Sequence, residues 1–317
     1  MPPRTVVSPG IGGAVLLAAV AAILFSSKSV FIKLAYAIPG LDGAPPVDAV
    51  TLLTLRMLFA LPVFAAVGLW SSARGGGRAL IARDHMQLVA LGLLGYYFSS
   101  YMDFLGLRYV SASLERLILY LYPTFTVLLS ALLFRRRIGR RGLAALVLSY
   151  CGVALVFGHD LASAAAREGV WIGGGFVLVS AFTYAIYLVT GTEVIARVGA
   201  TRFTAYAMTV SSIACIVQFL VLNPLHSLRL PAAVYGYGLT LAMVSTVLPS
   251  FLTAAALKRI GANQVSLAGA VGPVSTIALG AMLLGERINA WQVAGAALVI
   301  SGVLMITFQP KPPSKGD

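Results

Sequence analysis

The sequence predicts an all-α integral membrane protein, in which ten transmembrane helices form two inverted five-helix repeats around a central cavity. Three observations predict this fold. Of the 317 residues, 59% are apolar and only 10% are charged, whereas soluble domains carry about 25% charged residues. Ten long apolar runs follow one another along the chain, and its two halves are similar to each other at a fixed offset.

Each apolar run is long enough to cross a membrane, which takes about 20 mostly apolar residues in a helix. The runs are continuous and lack the period-two alternation of a barrel strand, so they predict helices. The first run is too long for a secretory signal and contains Lys28 and Lys33, and we therefore expect a retained helix. The predicted spans are residues 11–37, 48–71, 86–107, 112–134, 141–158, 169–195, 201–222, 232–256, 264–284 and 290–308.

The formal net charge of +13 is distributed unevenly between the loops. With the N-terminus inside, 15 of the 23 Lys and Arg residues fall on the cytoplasmic side, 4 on the opposite side and 4 within helices. Cytoplasmic loops of membrane proteins are enriched in these residues. The pattern predicts a multi-pass protein of the inner (plasma) membrane with both termini in the cytoplasm, and it excludes a nucleic-acid-binding surface, because most of the chain has no polar face.

The two halves match without gaps at an offset of 150 residues, with 14 of 51 positions identical between residues 107–157 and 257–307. Pro123 matches Pro273, which predicts a symmetric pair of hinges. Five spans per half invert the second half, as in secondary transporters that work by alternating access. The predicted organisation is a cytoplasmic tail at residues 1–10, two five-helix repeats at residues 11–158 and 169–308, and a second cytoplasmic tail at residues 309–317.

Paired motifs stand at equivalent places in the two halves. The first half has Leu-Arg-Tyr-Val-Ser-Ala-Ser from Leu107 and Tyr-Pro-Thr-Phe-Thr from Tyr122, and the second has Leu-Lys-Arg-Ile-Gly-Ala-Asn from Leu257, Gly-Pro-Val from Gly272 and Leu-Gly-Glu-Arg from Leu284. They resemble the motifs of the EamA-type members of the drug/metabolite transporter superfamily. The resemblance covers essentially the whole chain. It implies ten helices in two inverted repeats, a central cavity and the movement of small metabolites, often outward.

Six charged side chains lie more than two residues inside the ends of the predicted spans, where each costs about 2.5–3.5 kcal/mol on insertion scales and usually faces a cavity or a partner. They are Lys28, Lys33, Arg56, Asp103, Glu115 and Arg116. We expect Asp103 and Glu115 to pair with some of Lys33, Arg56 and Arg116, and the surplus positive charge to receive a substrate carboxylate. Two alternatives stay open: Lys33 and Arg116 could snorkel to the aqueous face, and Arg56 could form a structural ion pair.

Tyrosine and hydroxyl side chains form stripes at helical spacing on three predicted spans. The stripes are Tyr96, Ser99 or Ser100, and Asp103 in the third span, Arg116 and Tyr120 in the fourth, and Ser180, Tyr184 and Tyr187 in the sixth. These residues are predicted to bind substrate or to gate the cavity, because tyrosine offers both an apolar ring and a hydrogen-bonding hydroxyl. Ordinary helix packing is the other interpretation.

These features predict a secondary transporter for a small metabolite, amino-acid-like or carboxylate-bearing, with export as the expected direction. The alternatives are a lipid-carrier flippase or a multidrug exporter and, less well supported, an intramembrane enzyme, for which no catalytic motif is present. No catalytic residue, metal site or cofactor is predicted. The expected partners are a small-molecule substrate and the lipid bilayer but no nucleic acid, and a homodimer is left open.

Overall fold

A computed structural model describes residues 9–73, 80–133, 138–163 and 169–307, and within these ranges it is helical, with no strand. The outermost tail residues and the arginine run at residues 135–137 lie outside the described part. The α-helices are α1 (Pro9–Tyr36), α2 (Ala49–Ala73), α3 (Ala82–Gly92), α4 (Ser99–Gly106), α5 (Ala112–Leu119), α6 (Tyr122–Leu133), α7 (Arg140–Ser163), α8 (Val170–Val198), α9 (Ala200–Leu222), α10 (Ala232–Ala242), α11 (Leu248–Gly269), α12 (Val271–Leu284) and α13 (Ala290–Thr307).

Eight helical segments of the described chain are long and apolar enough to cross a membrane, and two shorter apolar helices follow them. This confirms the prediction of an all-helical, multi-pass membrane protein. The eight segments are Gly12–Tyr36, Ala49–Ala73, Ala82–Gly106, Ala112–Leu133, Gly142–His159, Val170–Val198, Ala200–Leu222 and Ala232–Ala256, and the shorter helices are Val271–Leu284 and Ala290–Met305.

Two of the long segments contain a π turn, a wider helical turn with one extra residue. Leu93–Phe98 joins α3 to α4, and Met243–Val247 joins α10 to α11. In the second case Pro249 follows two residues after the turn, and its missing N–H removes one hydrogen bond of a regular helix. Because π turns interrupt the regular hydrogen-bond pattern, they are frequent at functional sites.

The two prolines predicted as hinges each stand just after a break in a helix. Pro123 is the second residue of α6 and follows a turn at residues 120–121, and Pro273 is the third residue of α12 and follows Ala270. In the first turn of a helix a proline loses no internal hydrogen bond, so these positions tolerate it. The regular helix is therefore interrupted before each proline, and not at it.

The second half departs from the predicted boundaries in one place. A break was expected between residues 256 and 264, but α11 continues without interruption to Gly269. No proline lies between residues 250 and 272, and a single glycine inside a helix costs only about 1 kcal/mol. The helix can therefore extend until the Gly272-Pro273 pair, where α12 begins.

The helices pack in pairs that place the polar residues of α1, α2, α4 and α5 in the interior. Helix α1 contacts α11 and α12, α8 contacts α4 and α6, and the pairs α2–α9 and α7–α13 also contact each other. In the α7–α13 pair the backbones approach closely, because a Cβ on Gly295 would overlap Val156 and lie 2.7 Å from the carbonyl oxygen of Gly152. Small residues of this kind allow membrane helices to pack tightly.

Candidate functional site

A cavity of about 280 Å³ lies between the helices at the centre of the bundle. Its walls come from α1, α2, the α3–α4 segment, α5, α6, α8, α9, the π turn before α11, α11 and α12. Among the lining residues are eight that the sequence predicted, namely Lys28, Arg56, Tyr96, Ser100, Asp103, Arg116, Tyr120 and Tyr184. Lys33, Glu115 and Tyr187 are not among the residues that line it.

The ammonium group of Lys28 on α1 forms a buried ion pair with Asp103 on α4, with 2.5 Å between Nζ and Oδ2. Both side chains are almost completely buried, at 6% and 1% exposure. The expected partners of Asp103 were Lys33, Arg56 or Arg116, and the structure corrects this. Lys28 lies close enough because residue 28 of α1 stands beside the α4 helix, a tertiary contact that spacing along the chain does not reveal. Each of the two charges is thereby compensated.

Arg56 on α2 has different partners from those of Lys28. Its Nε–H donates to the hydroxyl of Thr246, in the second π turn, over 2.8 Å, and its guanidinium carbon lies 5.5 Å from the centre of the Phe104 ring. Its Nη1 is buried and has no hydrogen-bond partner among the described residues. The structural ion pair considered for Arg56 is therefore not seen in the described part of the chain: its hydrogen-bond partner is a hydroxyl and its near neighbour an aromatic ring, although Asp103 is close enough for its charge to act on Arg56.

Arg116 on α5 is held by neutral acceptors. Its Nε donates to the hydroxyl of Thr276 over 3.1 Å, and its Nη2 donates to the backbone carbonyl of Phe25 over 2.8 Å. The side chain is buried, at 6% exposure of the residue. It therefore does not snorkel to the aqueous face, because its terminal nitrogens are used for contacts with α12 and α1.

Glu115, the neighbour of Arg116, is completely buried, and its carboxyl group lies near enough to that of Asp103 for the two charges to interact. Neither of its oxygens has a hydrogen-bond partner of normal geometry among the described residues. The expected pairing of Glu115 with Lys33, Arg56 or Arg116 is not among the salt bridges of the described chain.

Lys33 lies farther along α1, where its Nζ donates to the backbone carbonyls of Leu107 and Val110 over 3.1 and 3.0 Å. It lines a second, larger cavity of about 880 Å³ between the loops at this end of the bundle. This placement agrees with the alternative that Lys33 extends toward the helix end. Lys33 therefore lies outside the central cavity.

The tyrosines form one continuous aromatic group beside the cavity. Tyr122, Tyr184, Tyr187 and Tyr96 contact one another in succession, with ring centres 5.2, 5.5 and 5.1 Å apart. The hydroxyl groups of Tyr96 and Tyr187 are 3.0 Å apart. Tyr187 thus supports the wall from behind, whereas Tyr96 and Tyr184 belong to the lining.

Glu286 is a residue that the sequence analysis missed. Helix α12 ends at Gly285, whose φ of 66° is left-handed, and the N–H of Glu286 returns to the carbonyl of Gly280 over 3.1 Å. This helix ending, which favours glycine, directs the Glu286 carboxylate to the start of α5. There it accepts from the backbone N–H groups of Ala112 and Ser113 over 2.8 and 3.3 Å and from the Ser113 hydroxyl over 2.7 Å.

Thr246 and Thr276 were also missed, because hydroxyl residues are common in apolar helices and carry no signal of their own. Glu286 did have one. A glycine directly after an apolar run predicts a helix end, and an acidic residue next to it is available to a neighbouring helix start. Each of these three residues joins the second half of the chain to a residue of the first half.

Comparisons with known proteins agree with this arrangement. The model of the EamA-like transporter family matches the chain twice, at residues 12–158 and 171–308. The uncharacterized transporter YcbK of Bacillus subtilis (strain 168) is 33% identical over 290 residues, which covers 89% of each chain. An uncharacterized transporter of Archaeoglobus fulgidus is 26% identical over 259 residues, covering 81% of this chain and 88% of the relative.

A solved crystal structure shares the fold, with a TM-score of 0.64 at 18% sequence identity, and covers 93% of this chain and 98% of its own. The family model accounts for nearly all of the chain, and the relatives are named as transporters. The similarity to the drug/metabolite transporters that the sequence motifs indicated is confirmed. The chain belongs to the EamA-like transporter family.

Proposed function

We propose that this chain is a secondary transporter that exports a small, amino-acid-like or carboxylate-bearing metabolite across the inner membrane by alternating access. The observation that carries the proposal is the central cavity, which combines a surplus of buried positive charge with an aromatic wall. Lys28 and Asp103 compensate each other. Arg56 and Arg116 then remain against the single carboxyl group of Glu115, which favours an anionic group on the solute.

Three structural correspondences support two inverted five-helix repeats. The π turns begin at Leu93 and Met243, which are 150 residues apart. The helix breaks at residues 120 and 270 have the same separation. The packing of α1 against α11 and α12 corresponds to the packing of α8 against α4 and α6. The two matches of one family model are consistent with the same duplication.

Inverted repeats permit alternating access, because the two halves can exchange conformations around a site near the membrane midplane. The cavity lies between residues from both halves, and the two π turns border it through Tyr96 and Thr246. Local departures from the regular helix are the usual places where a transporter helix bends. We propose that these turns and the breaks before Pro123 and Pro273 accommodate the movement.

The function can be tested with the purified chain in liposomes. We expect saturable exchange of a radiolabelled small carboxylate against the same unlabelled compound inside, without ATP. The panel would contain amino acids, organic acids, nucleotide sugars and lipophilic cations. Exchange of lipophilic cations alone would refute the carboxylate proposal and favour a multidrug exporter, and the absence of exchange for the whole panel would refute the transporter.

The proposed orientation, with both termini in the cytoplasm, can be tested separately. In a variant without Cys151 and Cys215, single cysteines replace Ala44 in the loop after α1 or Arg83 at the start of α3. Both positions are exposed. We expect an impermeant thiol reagent added to intact cells to label the first and not the second. The reverse pattern would contradict the proposed orientation.

A further inference from the structure

We propose that the guanidinium group of Arg56 binds the carboxylate of the transported metabolite, and that Thr246 positions this guanidinium. This inference rests on the proposed transport function and names the residue that recognises the solute. It assigns different tasks to the buried cations, which the sequence could not distinguish.

The other two cations of the cavity already have partners. Lys28 is neutralised by Asp103 at 2.5 Å. Arg116 uses Nε and Nη2 for the Thr276 hydroxyl and the Phe25 carbonyl, so these nitrogens join α5 to α12 and α1. The charge of Lys28 is thereby balanced, and the contacts of Arg116 hold its side chain between three helices.

Arg56 differs because its hydrogen-bonding capacity is largely unused. The bond from Nε to Thr246 is the one hydrogen bond that its guanidinium makes to the described part of the chain, and Nη1 is buried without a partner. The residue is only 4% exposed and lines the cavity. A buried charged donor without an acceptor is unfavourable, so an anion that enters the cavity removes a cost already present in the empty protein.

The surroundings of Arg56 also fix its orientation. Thr246 holds the Nε edge, and the guanidinium lies over the Phe104 ring, with 5.5 Å between the ring centre and Cζ. Thr246 is itself fixed, because its hydroxyl donates to the carbonyl of Leu241 over 2.8 Å. A planar guanidinium held in this way can present its terminal N–H groups to both oxygens of a carboxylate, which a lysine cannot do.

The other residues that line the cavity indicate the chemical character of the part of the solute beyond its carboxylate. Tyr96, Tyr120, Tyr122 and Tyr184 contribute aromatic surface to the cavity. Its volume of about 280 Å³ is at the lower end of the range for ligand pockets. The geometry therefore fits a small monocarboxylate with an apolar or aromatic body, bound with its carboxylate at α2 and its body against α5, α6 and α8.

The inference can be tested with pairs of compounds that differ only in the carboxylate. Phenylalanine and phenylalaninol, and leucine and leucinol, differ by the replacement of the carboxylate with a hydroxymethyl group. Binding to the purified full-length chain is measured as stabilisation against heat over a range of concentrations. We expect the wild-type protein to bind the acids at least about tenfold more tightly than the alcohols, because a guanidinium–carboxylate contact is charge-assisted.

Arg56→Gln should lower the affinity for the acids at least about tenfold and leave the affinity for the alcohols unchanged. Arg56→Lys should give an intermediate loss, since it retains the charge but not the planar donors. Thr246→Val should lower the affinity for the acids by a smaller factor of about three, because the charge remains while its orientation is released. Arg197→Gln is the matched control: the same substitution, on a partly exposed arginine bound to Asp84, should change neither affinity.

The inference would be overturned if Arg56→Gln kept the preference for acids, or if the wild-type protein bound no acid of the panel more tightly than its alcohol. If Arg56→Gln does not fold, full retention of the preference in both Arg56→Lys and Thr246→Val would overturn it equally. A failure of the proposed transport function can be distinguished from a failure of this inference. If only the transport function fails, the acids bind in the way described here, but no exchange occurs in liposomes.

Discussion

The start of α5 provides a sharp quantitative test of how the two halves are joined. Its first four N–H groups are all satisfied: those of Ala112 and Ser113 by Glu286, that of Leu114 by the Ser111 hydroxyl, and that of Glu115 by the Ser111 carbonyl. Replacement of Glu286 by alanine leaves two of these donors without an acceptor. The change does not touch the lining of the central cavity, although Glu286 does line the second, larger cavity.

The expected cost follows from these contacts. A net hydrogen bond contributes about 1 kcal/mol, and one to a charged group about 1.5–3 kcal/mol. Since Glu286 is only partly buried, we take about 1–1.5 kcal/mol for each of the two backbone bonds. Glu286→Ala should therefore lower the free energy of unfolding by about 2–3 kcal/mol. Glu286→Gln, which retains one acceptor oxygen, should cost about 1 kcal/mol.

The free energy would be measured by titration with a denaturing detergent in mixed micelles. Glu193→Ala is the control, because this glutamate is exposed on α8 and should change the value by less than about 0.5 kcal/mol. A second probe is Gly280→Ala, since a Cβ there would lie 2.9 Å from Oε2 of Glu286. Its cost should shrink when Glu286 is already alanine. Equal costs in both backgrounds, or a Glu286→Ala variant as stable as the wild type, would refute this account.

Three further outcomes are expected in the same titration. Lys28→Met or Asp103→Asn alone should lower the free energy of unfolding by about 3–5 kcal/mol, because each leaves a buried charge. The double variant should cost less than the sum of the two, and additive costs would contradict a direct ion pair. Gly295→Ala should lower the same free energy by about 1–3 kcal/mol, because it forces α7 and α13 apart. The control Gly236→Ala should not destabilise the protein, because a Cβ there meets no atom within 4 Å. Equal effects of the two variants would contradict the close packing. Tyr187→Phe should lower the free energy of unfolding by about 0.5–1.5 kcal/mol, because it removes the hydrogen bond to the Tyr96 hydroxyl. Exchange in liposomes should stay nearly unchanged. A loss of exchange would show that Tyr187 belongs to the transport site.

The sequence predicted the helices well because apolar length is a local property. Each span shows itself by its own composition, whether or not its neighbours are known. The continuation of α11 to Gly269 was missed for the same reason, since the segment has mixed composition and its helical state is decided by the packing around it. The π turns also have no composition signal of their own.

The candidate site was predicted in part. Charges inside apolar helices are rare enough that Lys28, Arg56 and Asp103 could be singled out without a structure, and all three line the cavity. Their partners could not be predicted. The contacts of Arg56 with Thr246 and of Arg116 with Thr276 join residues far apart in the chain, and they depend on which helices pack together.

The division of these contacts between the halves has a kinetic consequence. The buried ion pair, Lys28 with Asp103, lies within the first half, whereas the buried contacts of Arg56 and Arg116 with the second half use threonine hydroxyls. Separation of the halves would break hydrogen bonds to charged groups, at about 1.5–3 kcal/mol, and would spare a pair that costs about 3–5 kcal/mol to break. An activation barrier that is lower by about 2 kcal/mol corresponds to a rate about thirty times higher. Under the proposed alternating access, the placement of both acids in the first half would keep the exchange between conformations fast.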